Sequence, residues 1–240
     1  QMVGTFDKPR YIDFVPDLCA HSRNRITGCT RCLSLCPTGA ITPAGDSVAI
    51  DPNICAGCGQ CAAVCPTGAA SYALPRAETL VRRLRAGLRA WHAAGAEGAP
   101  VVLFHDTDHG TPLIEASGRF GRGLPAHVIP FSANEITQIG PEVIAAAHAY
   151  GASRVALLAR ARSAHDMSGL FATLDLMAEI GAAAGLPPPL LVQTDDPDQL
   201  EAALALAPAP LRPRSDFLPP TDKRGLLTTA VAEMLRQGEA

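Results

Sequence analysis

The sequence predicts two units in series: an α+β unit of short strands and helical turns built around cysteine, then a small α/β domain with a parallel sheet. Three observations carry this. All eight cysteines of the 240-residue chain lie between positions 19 and 65. Within that stretch the chain repeats itself, since an offset of 29 residues pairs Cys29 with Cys58, Cys32 with Cys61, Cys36 with Cys65 and Pro37 with Pro66. Beyond residue 99, apolar runs of strand length alternate with runs of helical period, the pattern that crossover connections and a parallel sheet leave in a sequence.

Taken in order, residues 1–10 are a polar lead-in with no chemistry of their own. YIDFV alternates like a short strand and is expected to pair with ASYAL near the end of the repeat. AITPAGDSVAID reads as a hairpin with Pro43, Ala44, Gly45 and Asp46 at the turn. Two short helical turns complete the cysteine unit. From Leu74 to about Gly95 the period turns helical, with Ala77, Val81, Leu84, Leu88 and Trp91 on one face. Arg82, Arg83, Arg85 and Arg89 lie elsewhere around that helix, as a solvated face or as a cover for an acidic neighbour.

The strands expected in the second unit are PVVLFHD, AHVIPF, RVALLA and PLLVQTD; its helices include PEVIAAAHAYG and HDMSGLFATLDLMAEIGAAAG, and PDQLEAALALA followed by PAPLRPRSDFLPP reads as a domain edge running into a linker. The expected division is residues 1–75 for the cysteine unit, 76–98 for a connecting helix, 99–207 for the α/β domain, and 208–240 for a proline-rich linker with a terminal helix. The chain opens at Gln1 and stops in QGEA just after a helical run. It therefore reads as a segment of a longer polypeptide with flanking domains.

Composition narrows the functional classes. Hydrophobic residues make up 48% and charged residues 18%, which suits a packed globule, while aromatics are only 5%, so the core is aliphatic. The net charge of -3 and the lack of aromatic platforms exclude a nucleic-acid surface. No signal peptide or membrane-spanning run is visible, and the expectation is cytoplasm, where thiols stay reduced and bind metal. Neither a dinucleotide glycine fingerprint nor a phosphate loop follows the first long strand. HDTDHGTP stands there instead, and its His105, Asp106, Asp108 and His109 read either as a polar loop or as donors for a cation.

For the eight thiols, zinc and iron–sulfur are the two readings. Zinc favours separated pairs of ligands. The run CAGCGQCAAVCP places Cys55, Cys58 and Cys61 two residues apart and Cys65 after three more, then proline, and this spacing favours iron–sulfur. The first run is irregular, because the position matching Cys55 is Ile26. The residues before Cys19 (FVPDL) match those before Cys55 (IDPNI), so Cys19 is read as the displaced counterpart; the other reading is an ordinary buried thiol. Gly28, Gly57 and Gly59 fit turns that bring backbone amides toward sulfur, or simply tight turns. The inserted loop adds His21, Arg23 and Arg25, which read either as a solvated surface loop or as a positive group beside acidic centres.

On these motifs residues 10–75 resemble a two-cluster 4Fe-4S bacterial-type ferredoxin. The resemblance implies an α+β ferredoxin-like domain, with one cluster on Cys19, Cys29, Cys32 and Cys65 and the other on Cys55, Cys58, Cys61 and Cys36. The loop inserted in the first motif departs from that family. Residues 99–206 are faintly similar to the small iron–sulfur subunit of hydrogenase and heterodisulfide reductase complexes, although here they hold no cysteine. The whole chain is similar to the middle of larger ferredoxin-type proteins associated with molybdenum formate dehydrogenases, which names such an enzyme among its redox partners. The resulting expectation is a non-catalytic electron-transfer subunit of an oxidoreductase with two 4Fe-4S clusters and no assigned catalytic residue. The rivals are a flavin- or small-cofactor-binding oxidoreductase fed by the clusters, and an assembly scaffold.

Overall fold

The computed structural model describes residues 7–23, 26–96, 98–163, 165–207, 209 and 211–238. The cysteine unit runs through β1 (Ile12–Phe14), a 3₁₀ turn at Pro16–Leu18, β2 (Ser22–Arg23), β3 (Ile26–Thr27), α1 (Arg31–Leu35), β4 (Ile41–Ala44), β5 (Ser47–Ile50), α2 (Gln60–Val64) and β6 (Ala70–Tyr72). β1 pairs antiparallel with β6, Ile12 facing Tyr72, and both residues are buried while Asp13 and Ser71 point outward. β4 and β5 form the hairpin, but its turn is only Gly45 and Asp46. Pro43 and Ala44 belong to the strand, paired with Val48 and Ser47. Proline is tolerated there because a two-stranded ribbon has only edge strands. The inserted loop makes its own small hairpin from β2 and β3; Arg25 and the side chain of Arg23 lie outside the described residues.

Little apolar mass holds this unit. Ile12, Ile41, Val48, Ala62, Ala70 and Tyr72 form its buried cluster, and the remaining contacts come largely from cysteines.

α3 (Ala77–Ala93) follows. Its buried face is Leu80, Val81, Leu84 and Leu88; Ala77 and Trp91 are only partly covered, so the apolar stripe sits slightly around the helix from the expected one. The arginines serve the chain itself. Arg82 pairs with Glu78 at 2.7 Å, and Arg83 donates to the Ser132 carbonyl and hydroxyl. Arg85 and Arg89 both reach Asp216, at 2.9 and 3.6 Å. They fasten α3 to the sheet edge and to the C-terminal segment.

The α/β layers comprise β7 (Val101–Asp106), α4 (Gly110–Phe120), β8 (Val128–Ala133), a 3₁₀ turn at Ile136–Gln138, α5 (Pro141–Ala149), β9 (Arg154–Ala159), α6 (Ser168–Ala183), β10 (Leu190–Gln193), α7 (Pro197–Leu204) and α8 (Lys223–Gly238). The four strands form one parallel sheet in the order β10-β9-β7-β8. The near-continuous apolar runs of β7 and β9 follow from burial on both faces. On one face Val102, Phe104, Val155 and Leu157 meet α3, α5, α6 and α8. On the other, Leu103, Ala156 and Leu158 meet Leu113 of α4 and Leu200 and Leu204 of α7. After Ala209, which bridges to Ala99, residues 211–222 have no helix or strand; α8 then returns to the core, burying Leu226, Ala230 and Met234. No helix among the described residues is long and apolar enough to cross a membrane.

Candidate metal centres and the seam beside them

Helices α1 and α2 are the scaffold of the cysteine sites. Each is five residues long and ends in a cysteine with extended backbone, Cys36 at φ -75° and ψ 108° and Cys65 at φ -67° and ψ 113°. The chain therefore leaves the helix at these two residues, and their side chains depart from the helical direction that Cys32 and Cys61 keep. The outcome is two separate cavities. One is lined by Cys19, Cys29, Cys32 and Cys65, together with Phe14 and His21. The other is lined by Cys36, Cys55, Cys58 and Cys61, together with Ile12 and Ile41. Each sequence motif thus gives three thiols to one cavity and one to its neighbour. Ile26, which holds the repeat position of Cys55, is 73% exposed and lines neither. His21 is buried beside the first cavity, with Nδ1 2.9 Å from the Cys29 carbonyl.

The thiol environments differ in a regular way. Burial pushes Cys61 and Cys58 up, and it raises Cys32 to about 11, with Cys65, Cys29 and Cys19 adding to the effect. Cys36 and Cys65 are also buried in part, yet hydrogen bonds outweigh that and hold both down. The donors come from the repeated Cys-Pro-Thr-Gly: the Thr38 hydroxyl lies 3.7 Å from Cys36 Sγ, and the Thr67 hydroxyl 3.6 Å from Cys65 Sγ. The Ala70 N–H donates to Cys65 Sγ at 3.5 Å. Four thiolates crowded in low dielectric repel one another unless a cationic group lies between them, so each quartet fits an iron–sulfur cluster chemically. Among the described residues, no three His, Cys, Asp or Glu side chains converge as a single ion requires. A cubane needs no such convergence, because each of its thiolates meets a different iron.

Beyond the cysteines, a seam of hydrogen bonds joins this unit to the α/β layers. Gly57 and Gly59 take φ +80° and +79°, whereas Gly28 stays outside the left-handed region. A Cβ on Gly59 would lie 2.5 Å from Gln138 Cβ, so the 3₁₀ turn after β8 packs directly on the cysteine loop. Next to it the Thr137 hydroxyl donates to the Cys58 carbonyl at 2.6 Å. Asn134 donates to the Tyr72 hydroxyl, which donates in turn to the Gly57 carbonyl at 2.6 Å. The Gln60 side chain, 1% exposed, donates to the Asp166 carbonyl and accepts from the Gly169 N–H in the first turn of α6. Lys223 reaches α2 from α8. Sequence reasoning singled out Gly57 and Gly59 as turn residues but missed Gln60, Tyr72, Asn134, Thr137, Gln138 and Lys223, which carry no local mark.

The second unit opens a cavity of about 300 Å³ at the carboxyl ends of its strands, lined by Asp106, Glu135, Thr137, Arg160, His165 and Met167 among others. It sits where the strand order reverses on either side of β7, the usual ligand position in open α/β sheets. Burial, with Asp106 and Asp108 adding to it, raises the Glu135 carboxyl. Of the four residues considered for a cation, Asp106 and Asp108 line this cavity, whereas His105 and His109 do not. Asp106 Oδ1 accepts from the N–H groups of His109 and Gly110, capping α4; His105 turns its Nδ1 to the Asp106 carbonyl; His109 lies 3.0 Å from Asp195.

Comparison with known proteins identifies the first unit. Residues 8–69 match the family model of the 4Fe-4S dicluster domain. This stretch is a ferredoxin-type domain, and the cofactors are two 4Fe-4S clusters. No curated protein matches the chain, and no solved structure does.

Proposed function

We propose that the chain relays single electrons between redox proteins, with one cluster on Cys19, Cys29, Cys32 and Cys65 and the other on Cys55, Cys58, Cys61 and Cys36. The observation that supports this ligation is the pair of four-thiol cavities side by side, each drawing one cysteine from the other's motif. A bound 4Fe-4S cluster supplies reversible one-electron chemistry. The polypeptide holds the thiols in place and donates hydrogen bonds to Cys36 and Cys65. The resemblance of the whole chain to proteins associated with molybdenum formate dehydrogenases favours that enzyme class as partner, in the cytoplasm. Iron and sulfide analysis, with low-temperature electron paramagnetic resonance of the dithionite-reduced protein, tests the reading. About eight irons and two interacting spins are expected. Cys19→Ser should remove one cluster and spare the other; two unaltered clusters in that variant would refute the role given to Cys19, and clusters that cannot be reduced reversibly would leave only a scaffold.

A second reading is favoured by the cavity at the carboxyl edge of the sheet, which adjoins the Cys58 loop through Thr137. In it the α/β layers hold a small organic redox cofactor that exchanges electrons with the clusters. A flavin band released from the purified protein on denaturation would establish this reading, and its absence from fully iron-loaded protein would return the α/β layers to a docking role.

A further inference from the structure

The last helix contributes a lysine to the cysteine unit, far from it in sequence. Lys223 opens α8, and its side chain is 11% exposed. Nζ donates to the Ala63 carbonyl at 2.6 Å and also to the Ala62 carbonyl. These carbonyls lie in the last turn of α2, where peptide oxygens lack helical partners and the helix end is partly negative. Cys65 follows that turn directly. The loop after it accommodates the lysine, because Gly68 holds φ +75° and a Cβ there would stand 3.0 Å from Lys223 Cβ. The chain has two lysines, Lys8 and Lys223. Lys8 instead donates to the Asn53 carbonyl on an exposed surface.

We infer that Lys223 is a positioning residue for the cluster served by Cys65, and that its ammonium favours the reduced state of that cluster over the oxidised one. The inference rests on the ligation proposed above. Reduction adds a negative charge to a centre that is already anionic. A fixed cation nearby in a partly dry setting stabilises the added electron. Two features moderate the effect. Glu142 Oε2, almost fully buried at the start of α5, is 3.6 Å from Nζ and partly offsets the charge. The two residues also line a cleft of about 440 Å³ between the units, where water screens the field. The same ammonium fastens the end of α2 and thereby fixes where Cys65 leaves the helix.

The two contributions separate in an anaerobic redox titration of the whole chain, followed by electron paramagnetic resonance, on Lys223→Met, Lys223→Gln and Lys223→Arg. Met removes charge and hydrogen bonds, Gln keeps a donor without charge, and Arg keeps the charge. In Met and Gln the reduction equilibrium of one cluster should fall about tenfold, about 59 mV for one electron, with the other cluster moving less. Arg should restore most of the loss. Unmoved potentials in Met and Gln, an equal shift of both clusters, or an Arg variant displaced as far as Met with its iron intact would each overturn the inference. So would loss of iron in both Met and Gln while Arg stays loaded, since Lys223 would then be a clamp alone. Failure of the ligation itself is seen separately, as fewer than two clusters in the unsubstituted protein.

Discussion

Gly59 shows how one residue joins the two units. Its backbone is left-handed, and the space a side chain would occupy already belongs to Gln138 of the α/β layers, whose Cα lies 2.9 Å from the built Cβ. Gly45 shares the left-handed backbone at the hairpin turn, but nothing lies within 4 Å of its Cβ position. The pair separates backbone strain from packing. Gly45→Ala should cost about 1 kcal/mol, the strain alone. Gly59→Ala adds overpacking against backbone and should cost about 3 kcal/mol in all. Anaerobic guanidinium titrations following cluster absorbance measure both, and equal losses of midpoint would contradict the close packing at Gln138. Before the structure, Gly59 could be read only as a turn or as an amide donor to sulfur. Its packing against Gln138 lay outside both readings, because Gln138 is distant in sequence and carries no local mark.

Among the elements, the four strands, their parallel direction and the two short helical turns of the cysteine unit were legible, because burial on both faces leaves unbroken apolar runs and because the cysteine repeat fixes its own spacing. α4 was not. HDTDHGTP, whose last three residues open this helix, reads as a polar loop or as donors for a cation, and only Leu113 among the helix's large apolar side chains is buried. The division of the cysteines between two cavities was inferred from resemblance, since which cysteine leaves a short helix in extended backbone is a three-dimensional property. α5 carries a further consequence of burial. His148 is fully enclosed at its C-terminal end, with Nδ1 3.0 Å from the Ala152 carbonyl, and desolvation holds the imidazole down at about 4, against 6.5 when exposed. Above pH 6.5 both folded and unfolded forms are neutral and the group costs nothing. Between pH 6.5 and 4 only the unfolded form takes the proton, so stability falls with pH, by up to about 3 kcal/mol. Hydrogen exchange of the α5 and β9 amides at pH 7.5 and 5 should show this loss, and His148→Gln should reduce it. An identical pH response in the variant would remove His148 as the cause.

At the scale of the whole molecule the two units hold themselves together by different means. The α/β layers bury a broad aliphatic core across both faces of the sheet, joined by α3 and α8. The cysteine unit has six buried non-cysteine side chains at its centre, and the cysteines that complete the cluster meet no disulfide partner. A unit this thin requires a staple, and metal ligation supplies one. Its contacts with the α/β layers run chiefly through α2, held by Gln60 and Lys223. Stripping iron anaerobically with a chelator should therefore melt the first unit selectively. The β1, β4, β5 and β6 amides should lose protection from hydrogen exchange, while β7, β8 and β9 keep theirs and most helical circular dichroism remains. Persisting protection in the β4–β5 hairpin would mean that the apolar cluster suffices without metal. Loss of protection in β7 and β9 as well would mean that the seam at Gly59, Gln60 and Thr137 makes the two units fold as one. Selective loss alone agrees with a metal-stapled domain resting on an independently stable layer.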